Sequence, residues 1–231
     1  MTNLTYRSDI KVEYIQHMGD DEIIAKAARV STGKDQEDND KITGLINYLA
    51  RERHTSPFEH TALTVRIEAP IFVAREVMRH RTFSFNEISG RYAKLKPEFY
   101  LPPEGRPLIN AGTGAHPKLV QHKQVATDLA AAVNMTDAYQ ESWQIYEYMI
   151  SGDPEVDDVI ANEVARNVLP VATYTAWYMT GNLHAWFNFL YLRDGDVGHP
   201  QYEIVQLAQQ VWPIIEEHWP IAASAWKEKN G

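Results

Sequence analysis

Cysteine is absent from all 231 residues, and no other single count removes as many folding options. No disulfide can staple the chain, no thiolate can hold zinc or an iron-sulfur cluster, and no cysteine can act as a nucleophile. The fold must rest on buried apolar surface, which a chain of this length supplies when it folds. Hydrophobic residues make up 44% of the sequence, enough for a core without covalent help. With no repeat, linker or low-complexity tract, one domain over residues 1–231 is the expected organisation.

Lysine and arginine total 22 against 31 acidic residues, a net charge of −9. The overall field repels nucleic acid and anionic membrane, so neither is an expected partner, and an anionic ligand needs a local basic pocket. The stretch Met1-Thr2-Asn3-Leu4-Thr5-Tyr6-Arg7 lacks an apolar targeting core. No apolar run reaches the roughly 18 residues of a membrane span. A soluble, cytoplasmic protein is expected.

Asp20 ahead of Ile23, Ile24, Ala27 and Ala28 predicts a capped amphipathic helix, and Ile42, Leu45, Ile46 and Leu49 predict a second. Leu63, Val65 and Ile67 alternate with Thr64, Arg66 and Glu68, a half-buried strand ending at Pro70. Helical spacing returns from Ile71 to about Arg79. Pro97 to Pro117 carries five prolines and three glycines and is expected to be a long loop. A long helix is predicted from about Leu119 to Ile150, with Gly152 after its end. Asp153-Pro154 then starts a helix carrying Val156, Val159, Ile160, Val164 and Val168. Val171 to Met179 fits a strand and a buried helix equally. Asn182 to Leu192 and Gln201 to about Trp212 read as helices. The class is α+β, mostly helical.

Four of the twelve arginines, Arg75, Arg79, Arg81 and Arg91, fall within seventeen residues together with His80. A helix C-terminus accommodates some of that charge. The charge nevertheless continues beyond the helix into Ser84, Asn86, Glu87, Ser89 and Arg91, short hydrogen-bonding residues that suit an anionic ligand. The whole run is Arg79-His80-Arg81-Thr82-Phe83-Ser84-Phe85-Asn86-Glu87-Ile88-Ser89-Gly90-Arg91-Tyr92. It resembles the signature R-H-R-x-x-S-x-N-x-x-S-x-R-Y of the flavin-dependent thymidylate synthases, the ThyX family, at all eight fixed positions. With each residue type averaging about 5% usage, chance does not produce such a match.

The resemblance covers roughly residues 10 to 215. His54-Thr55-Ser56-Pro57-Phe58-Glu59-His60 is similar to the family's H-x-[ST]-P-F-E-H segment, and Glu163-Val164-Ala165-Arg166, Thr180-Gly181-Asn182, Asn188-Phe189-Leu190, Leu192-Arg193 and His199 follow in the family's order. It implies a ThyX-like fold, mostly helical with a small antiparallel sheet. It also implies reductive methylation of dUMP to dTMP, with 5,10-methylenetetrahydrofolate giving the carbon and NADPH the reducing equivalents through bound FAD. Classical thymidylate synthases attack uracil C6 with a cysteine thiolate, which this chain lacks; hydride delivered from a flavin needs no protein nucleophile.

By the same resemblance, FAD contacts fall to Ser56, Arg79, His80, Arg81, Glu87, Asn182, Leu183, His184, Asn188 and His199. The dUMP contacts fall to Glu76, Val77, Met78, Arg79, Glu87, Ile88, Ser89, Gly90, Arg91, Arg166 and Arg193. Arg193 matches the catalytic arginine that favours ionisation at uracil N3, which is electrostatic catalysis. A homotetramer with shared active sites is implied as well. Ser89 has no base evident in the sequence to activate it and is assigned to dUMP. No H-E-x-x-H or similar spacing occurs, so no metal is expected.

Three departures stand out: Glu76 where many members carry glutamine, His184 where arginine is common, and a longer loop at residues 194–198. Two rival readings differ in class. A nucleic-acid-binding helix at Arg79 is opposed by the acidic balance. Another FAD- or nucleotide-binding protein on this scaffold, without methyl transfer, is the alternative.

Overall fold

A computed structural model describes residues 2–34, 41–114, 116–121, 125–152, 158–195 and 199–230. In chain order its elements begin with β1 (Thr5–Arg7), β2 (Lys11–Met18), α1 (Asp21–Val30), α2 (Ile42–Arg51) and a 3-10 turn (Ser56–His60). The chain continues through β3 (Ala62–Pro70), α3 (Ile71–Val77), β4 (Ser84–Glu87), β5 (Glu98–Tyr100), β6 (Ile109–Asn110) and β7 (Leu119–Val120). It ends with α4 (Val125–Ser151), α5 (Asn162–Ala165), a second 3-10 turn (Arg166–Val168), β8 (Tyr174–Gly181), α6 (Leu183–Arg193), α7 (Tyr202–His218) and α8 (Pro220–Asn230). The class is α+β, as expected.

The chain forms two compact units interleaved in sequence. The first holds residues Met1–Asp9, Glu68–Glu76 and Glu87–Ala176, and the second Ile10–Ile67, Val77–Asn86 and Trp177–Gly231. The backbone passes between them within β3, α3, β4 and β8.

In the first unit β1 pairs parallel with β5, Tyr6 opposite Phe99. Helix α4 brings Tyr139, Trp143 and Tyr146 to this pair; their spacing puts all three on one face. Phe99 stacks on Tyr139 at 5.2 Å between centroids and meets Trp143 edge-on. Burial of each such ring contributes roughly 1.5–3 kcal/mol. The Arg7 guanidinium is half-buried and satisfied, donating to Asp9, Glu68 and Glu98 while lying 4.2 Å from the centroid of the Tyr174 ring. Gly152 ends α4 in the left-handed region (φ 74°), its N–H donating to Tyr148 O at 3.0 Å. This is the helix stop expected of that glycine.

Two helix predictions in this unit are corrected. Leu119 and Val120 belong to β7, paired antiparallel with Ile109 and Asn110 of β6, so the long helix starts at Val125. Of the following helix, Asp153, Pro154 and Val156 lie outside the described residues; among the described ones 158–161 are not helical, and a single turn, α5, is continued by the 3-10 turn. Val159, Ile160 and Val164 carry the right spacing but are exposed, so these three bury no apolar face that would stabilise a longer helix. Instead the Ile160 N–H donates to Met149 O, fastening this stretch to the end of α4.

In the second unit the four-stranded sheet has the order β2-β3-β8-β4. Leu63, Val65 and Ile67 of β3 are fully buried, as their alternation predicts. Of Val171–Met179, the part from Tyr174 is strand: β8 is interior to the sheet, and Tyr174, Thr175, Ala176 and Trp177 are buried in succession, which explains the lack of alternation. Asp20 Oδ1 accepts from the Ile23 N–H at 3.1 Å and caps α1. Helix α2 packs on α8, and α7 packs on β2, α6 and α8. Helix α7 runs past Trp212, where the sequence predicted its end, through Pro213 to His218. An interior proline costs about 3 kcal/mol, but burial of Val211, Ile215 and Trp219 around it offsets the loss.

Candidate functional site

Within the second unit, α3 ends at Val77, and a turn closed by the His80 N–H to Val77 O at 3.0 Å leads into the arginine-rich run. Arg79 and Arg81 are exposed on this turn, while His80 is half-buried. The run is anchored by Phe83, which packs edge-on against Trp186 at 4.7 Å and lies 6.2 Å from Phe189. Trp186 is itself pinned, its indole N–H donating to Leu63 O at 3.2 Å. Helix α6 thus supplies the wall for the segment.

Asn182 caps α6, its Oδ1 accepting from the Ala185 N–H at 2.8 Å. The Leu183 N–H donates to Thr61 Oγ1 at 3.1 Å, and the Leu183 side chain is buried. At a ligand this residue therefore acts only through its carbonyl. His184 Nδ1 lies 3.1 Å from Glu59 Oε1, so this histidine is held by the glutamate of the Pro57-Phe58-Glu59-His60 turn. Asn188 and Ser56 are exposed, and so is His199. Residues 196–198 of the longer loop lie outside the described residues.

At the far end of α6, Arg193 Nε donates to His80 Nε2 at 3.2 Å. The acceptor nitrogen carries no proton in this bond, so the ring is neutral with its hydrogen on Nδ1. Burial, then the adjacent Arg193 cation, holds the imidazole well below its ordinary value, at about 4. Val77 is fully buried and Met78 half-buried, so Val77 can meet a ligand only through its backbone.

The first unit holds the remaining candidates. Glu76 is half-buried and engaged by a partner. Glu87, the last residue of β4, accepts from Thr175 Oγ1 at 2.8 Å, and the next N–H, of Ile88, donates to Ala176 O at 2.9 Å. A turn follows in which Ser89 O accepts from the Tyr92 and Ala93 N–H groups and Ser89 Oγ from the Arg91 N–H. Ser89 is thus a turn-forming residue. Gly90 is buried, and a Cβ there would lie 3.1 Å from Leu95 Cδ1 and 3.4 Å from Arg166 Cδ. Arg91 Nε pairs with Glu163 Oε2 at 2.6 Å, its guanidinium 5.3 Å from the Tyr92 ring centroid. The exposed Arg91 and Arg166 gather beside a glycine that leaves room for close backbone approach.

Sequence reasoning missed Thr175, Thr61 and Phe189, which hold Glu87, Leu183 and His80. Each sits in an apolar or β-branched run that carries no chemical signal of its own. The donor set of the second unit fits a dinucleotide carrying pyrophosphate: exposed guanidinium forks at Arg79 and Arg81 and amides at Asn182 and Asn188. Among the described residues, no group of three or more histidine, aspartate or glutamate side chains is placed to hold a metal ion.

An α+β scaffold carrying an arginine-rich turn, braced by aromatic residues and tied to a helix-borne arginine, defines an anion-binding enzyme of the nucleotide class. The family model described as "Thymidylate synthase complementing protein" matches residues 13–221. Flavin-dependent thymidylate synthase of Streptomyces avermitilis is 42% identical over 196 residues, 82% of this chain and 77% of the relative. That of Thermus thermophilus is 39% identical over 217 residues, 94% of this chain and 75% of the relative. The crystal structure of the UMP/dUMP methylase PolB from Streptomyces cacaoi, bound with 5-Br UMP, superposes with a TM-score of 0.88 at 38% identity, covering 99% of this chain and 98% of that one. The chain belongs to the family of flavin-dependent thymidylate synthases.

Proposed function

We propose that this chain methylates dUMP to dTMP, with 5,10-methylenetetrahydrofolate as carbon donor and NADPH as reductant. The observation that carries the reading is the bond from Arg193 to His80, which joins the expected catalytic arginine to the arginine-rich signature across 113 positions of sequence. FAD, when bound, supplies hydride chemistry that a chain without cysteine cannot replace by thiolate attack. Ser56, Arg79, Arg81, Glu87, Asn182, Leu183, His184, Asn188 and His199 would hold it, with His80 contributing through its backbone because its ring is engaged by Arg193.

Arg91, Arg166 and the backbone at Gly90 bind the nucleotide phosphate, with Glu76, Val77, Met78, Glu87, Ile88 and Ser89 along the rest of dUMP. Arg193 stabilises the negative charge that develops on the pyrimidine as N3 loses its proton. Exposure of Ser56, Arg79, Arg81, Arg91 and Arg166 supports an assembly, a homotetramer, in which neighbouring chains complete each site. Residues 1–231 act as one catalytic domain. No helix among the described residues is long and apolar enough to cross a membrane, in keeping with a cytoplasmic enzyme.

Tritium release from 5-labelled dUMP should require FAD, NADPH and methylenetetrahydrofolate together. Full release without flavin would overturn the proposal, and a protein that binds FAD and dUMP yet releases no tritium would favour the alternative without methyl transfer. The PolB likeness, which spans nearly all of both chains, favours a second reading in which UMP is also methylated. The same assay with 5-labelled UMP decides it.

A further inference from the structure

Helix α6 presents Phe189 and Arg193 one turn apart, and His80 engages both. Its ring lies edge-on to Phe189 at 4.9 Å between centroids, 71° out of plane, while its Nε2 accepts from Arg193 Nε. Phe189 is fully buried and is braced in turn by Trp186, edge-on at 5.9 Å. The ring orientation of His80 is therefore set by packing before Arg193 arrives. A free arginine side chain has about 2 kcal/mol of rotamer entropy, and a bond to Nε fixes both the plane of the guanidinium and the direction of its Nη edge.

We infer that His80 is a positioning residue for Arg193: it aims the guanidinium at the pyrimidine without taking up its charge. The resemblance alone placed His80 on the flavin; the geometry points its imidazole at the arginine. The choice of side chain has a chemical reason. A carboxylate in this place would orient Arg193 equally well but compensate the charge that must stabilise the developing anion. A protonated imidazole could not accept from Nε at all. A neutral imidazole, kept so by burial and by Arg193 itself, is the side chain that meets both needs. The inference rests on the assignment of Arg193 to the pyrimidine.

The test compares wild type, His80→Phe, His80→Gln, Arg193→Ala and the double variant His80→Phe/Arg193→Ala. Phenylalanine keeps the packing on Phe189 without an acceptor, whereas glutamine brings an oxygen near the position of Nε2. Three readouts are taken: kcat and KM for dUMP, the flavin-to-protein absorbance ratio, and the ¹⁵N–¹H signal of Arg193 Nε. His80→Phe should lower kcat by about 10- to 100-fold, as misplacement of a catalytic group does, with flavin content unchanged. His80→Gln should recover most of that loss, and the double variant should be no slower than Arg193→Ala alone. The Nε–H signal should be protected from exchange in wild type and His80→Gln and should broaden away in His80→Phe.

Wild-type turnover in His80→Phe, flavin lost in step with activity, or additive losses in the double variant would overturn the inference. Should His80→Phe not fold, His80→Asn takes its place, because its shorter amide cannot reach the Nε2 position; equal activity in the asparagine and glutamine variants would then overturn it. An Arg193→Ala protein that turns over normally would refute the pyrimidine assignment itself, so the two failures are distinguishable.

Discussion

A Cβ placed on Gly181 would lie 2.5 Å from Cδ1 and Cε1 of Phe83, so the end of β8 and the ring at the centre of the signature run occupy space that only glycine leaves open. Phe83 cannot retreat easily, because Trp186 closes its other side. Gly181→Ala should cost about 1–3 kcal/mol, the usual penalty of overpacking, read as a lowered urea midpoint. Flavin content should fall as well, since Phe83 anchors the turn bearing Arg79 and Arg81. Adding Phe83→Leu should restore most of the stability. An alanine variant as stable and as yellow as wild type would disprove the packing argument.

The depressed His80 titration gives a stability prediction with a definite sign. The folded chain holds this ring neutral down to about pH 4, whereas the unfolded chain protonates it near its ordinary value of about 6.5. Between those limits the unfolded state binds more protons, so this residue makes stability rise with pH from about 4 to about 6.5 and adds nothing above. Arg193 is the cation facing it. The total across the window is about 3 kcal/mol. Urea titrations from pH 4 to 7 should show a shallower slope in His80→Gln than in wild type. Parallel slopes would contradict it.

Thr175 Oγ1 donates to Glu87 Oε1 and so holds the carboxylate expected on the flavin. Thr175→Val keeps the shape and removes the donor. A hydrogen bond to a partly exposed carboxylate contributes about 1 kcal/mol, so FAD should bind about fivefold more weakly, measured by quenching of flavin fluorescence on titration. An unchanged affinity would mean that Glu87 does not serve the flavin.

Local patterns were legible wherever one residue's neighbours in sequence decide its environment. Leu63, Val65 and Ile67 alternate because β3 faces a core on one side, and Gly152 ends a helix because it alone adopts φ 74° at no cost. The signature was legible because its chemistry is concentrated in fourteen consecutive residues. What escaped was set by partners distant in the chain. Ser84–Glu87 has no strand pattern and is a strand because β8 pairs with it. Val171–Met179 was ambiguous because an interior strand buries both faces. The bond between His80 and Arg193 was not legible because its two ends stand 113 positions apart. The proline at 213 signalled a helix end that burial of Ile215 and Trp219 overrides.

Helix α8 escaped for the same reason, and its cap yields the last prediction. Asp21, at the start of α1, accepts from the N–H groups of Ile221 and Ala222, each at 2.9 Å, and so caps a helix 200 positions away. Its carboxylate is buried, and burial raises its titration above the ordinary carboxylate value despite the two backbone donors. Asp21→Ala leaves both N–H groups without this acceptor and should cost about 2–3 kcal/mol; Asp21→Asn keeps one acceptor and should cost about half as much. Because the folded state binds the Asp21 proton more tightly than the unfolded state, this residue's contribution falls as pH rises through the interval between the two titrations. The advantage of wild type over Asp21→Asn should therefore be larger at pH 4 than at pH 7 in urea unfolding. An advantage that grows with pH would show that the two backbone bonds, and not burial, govern this carboxylate.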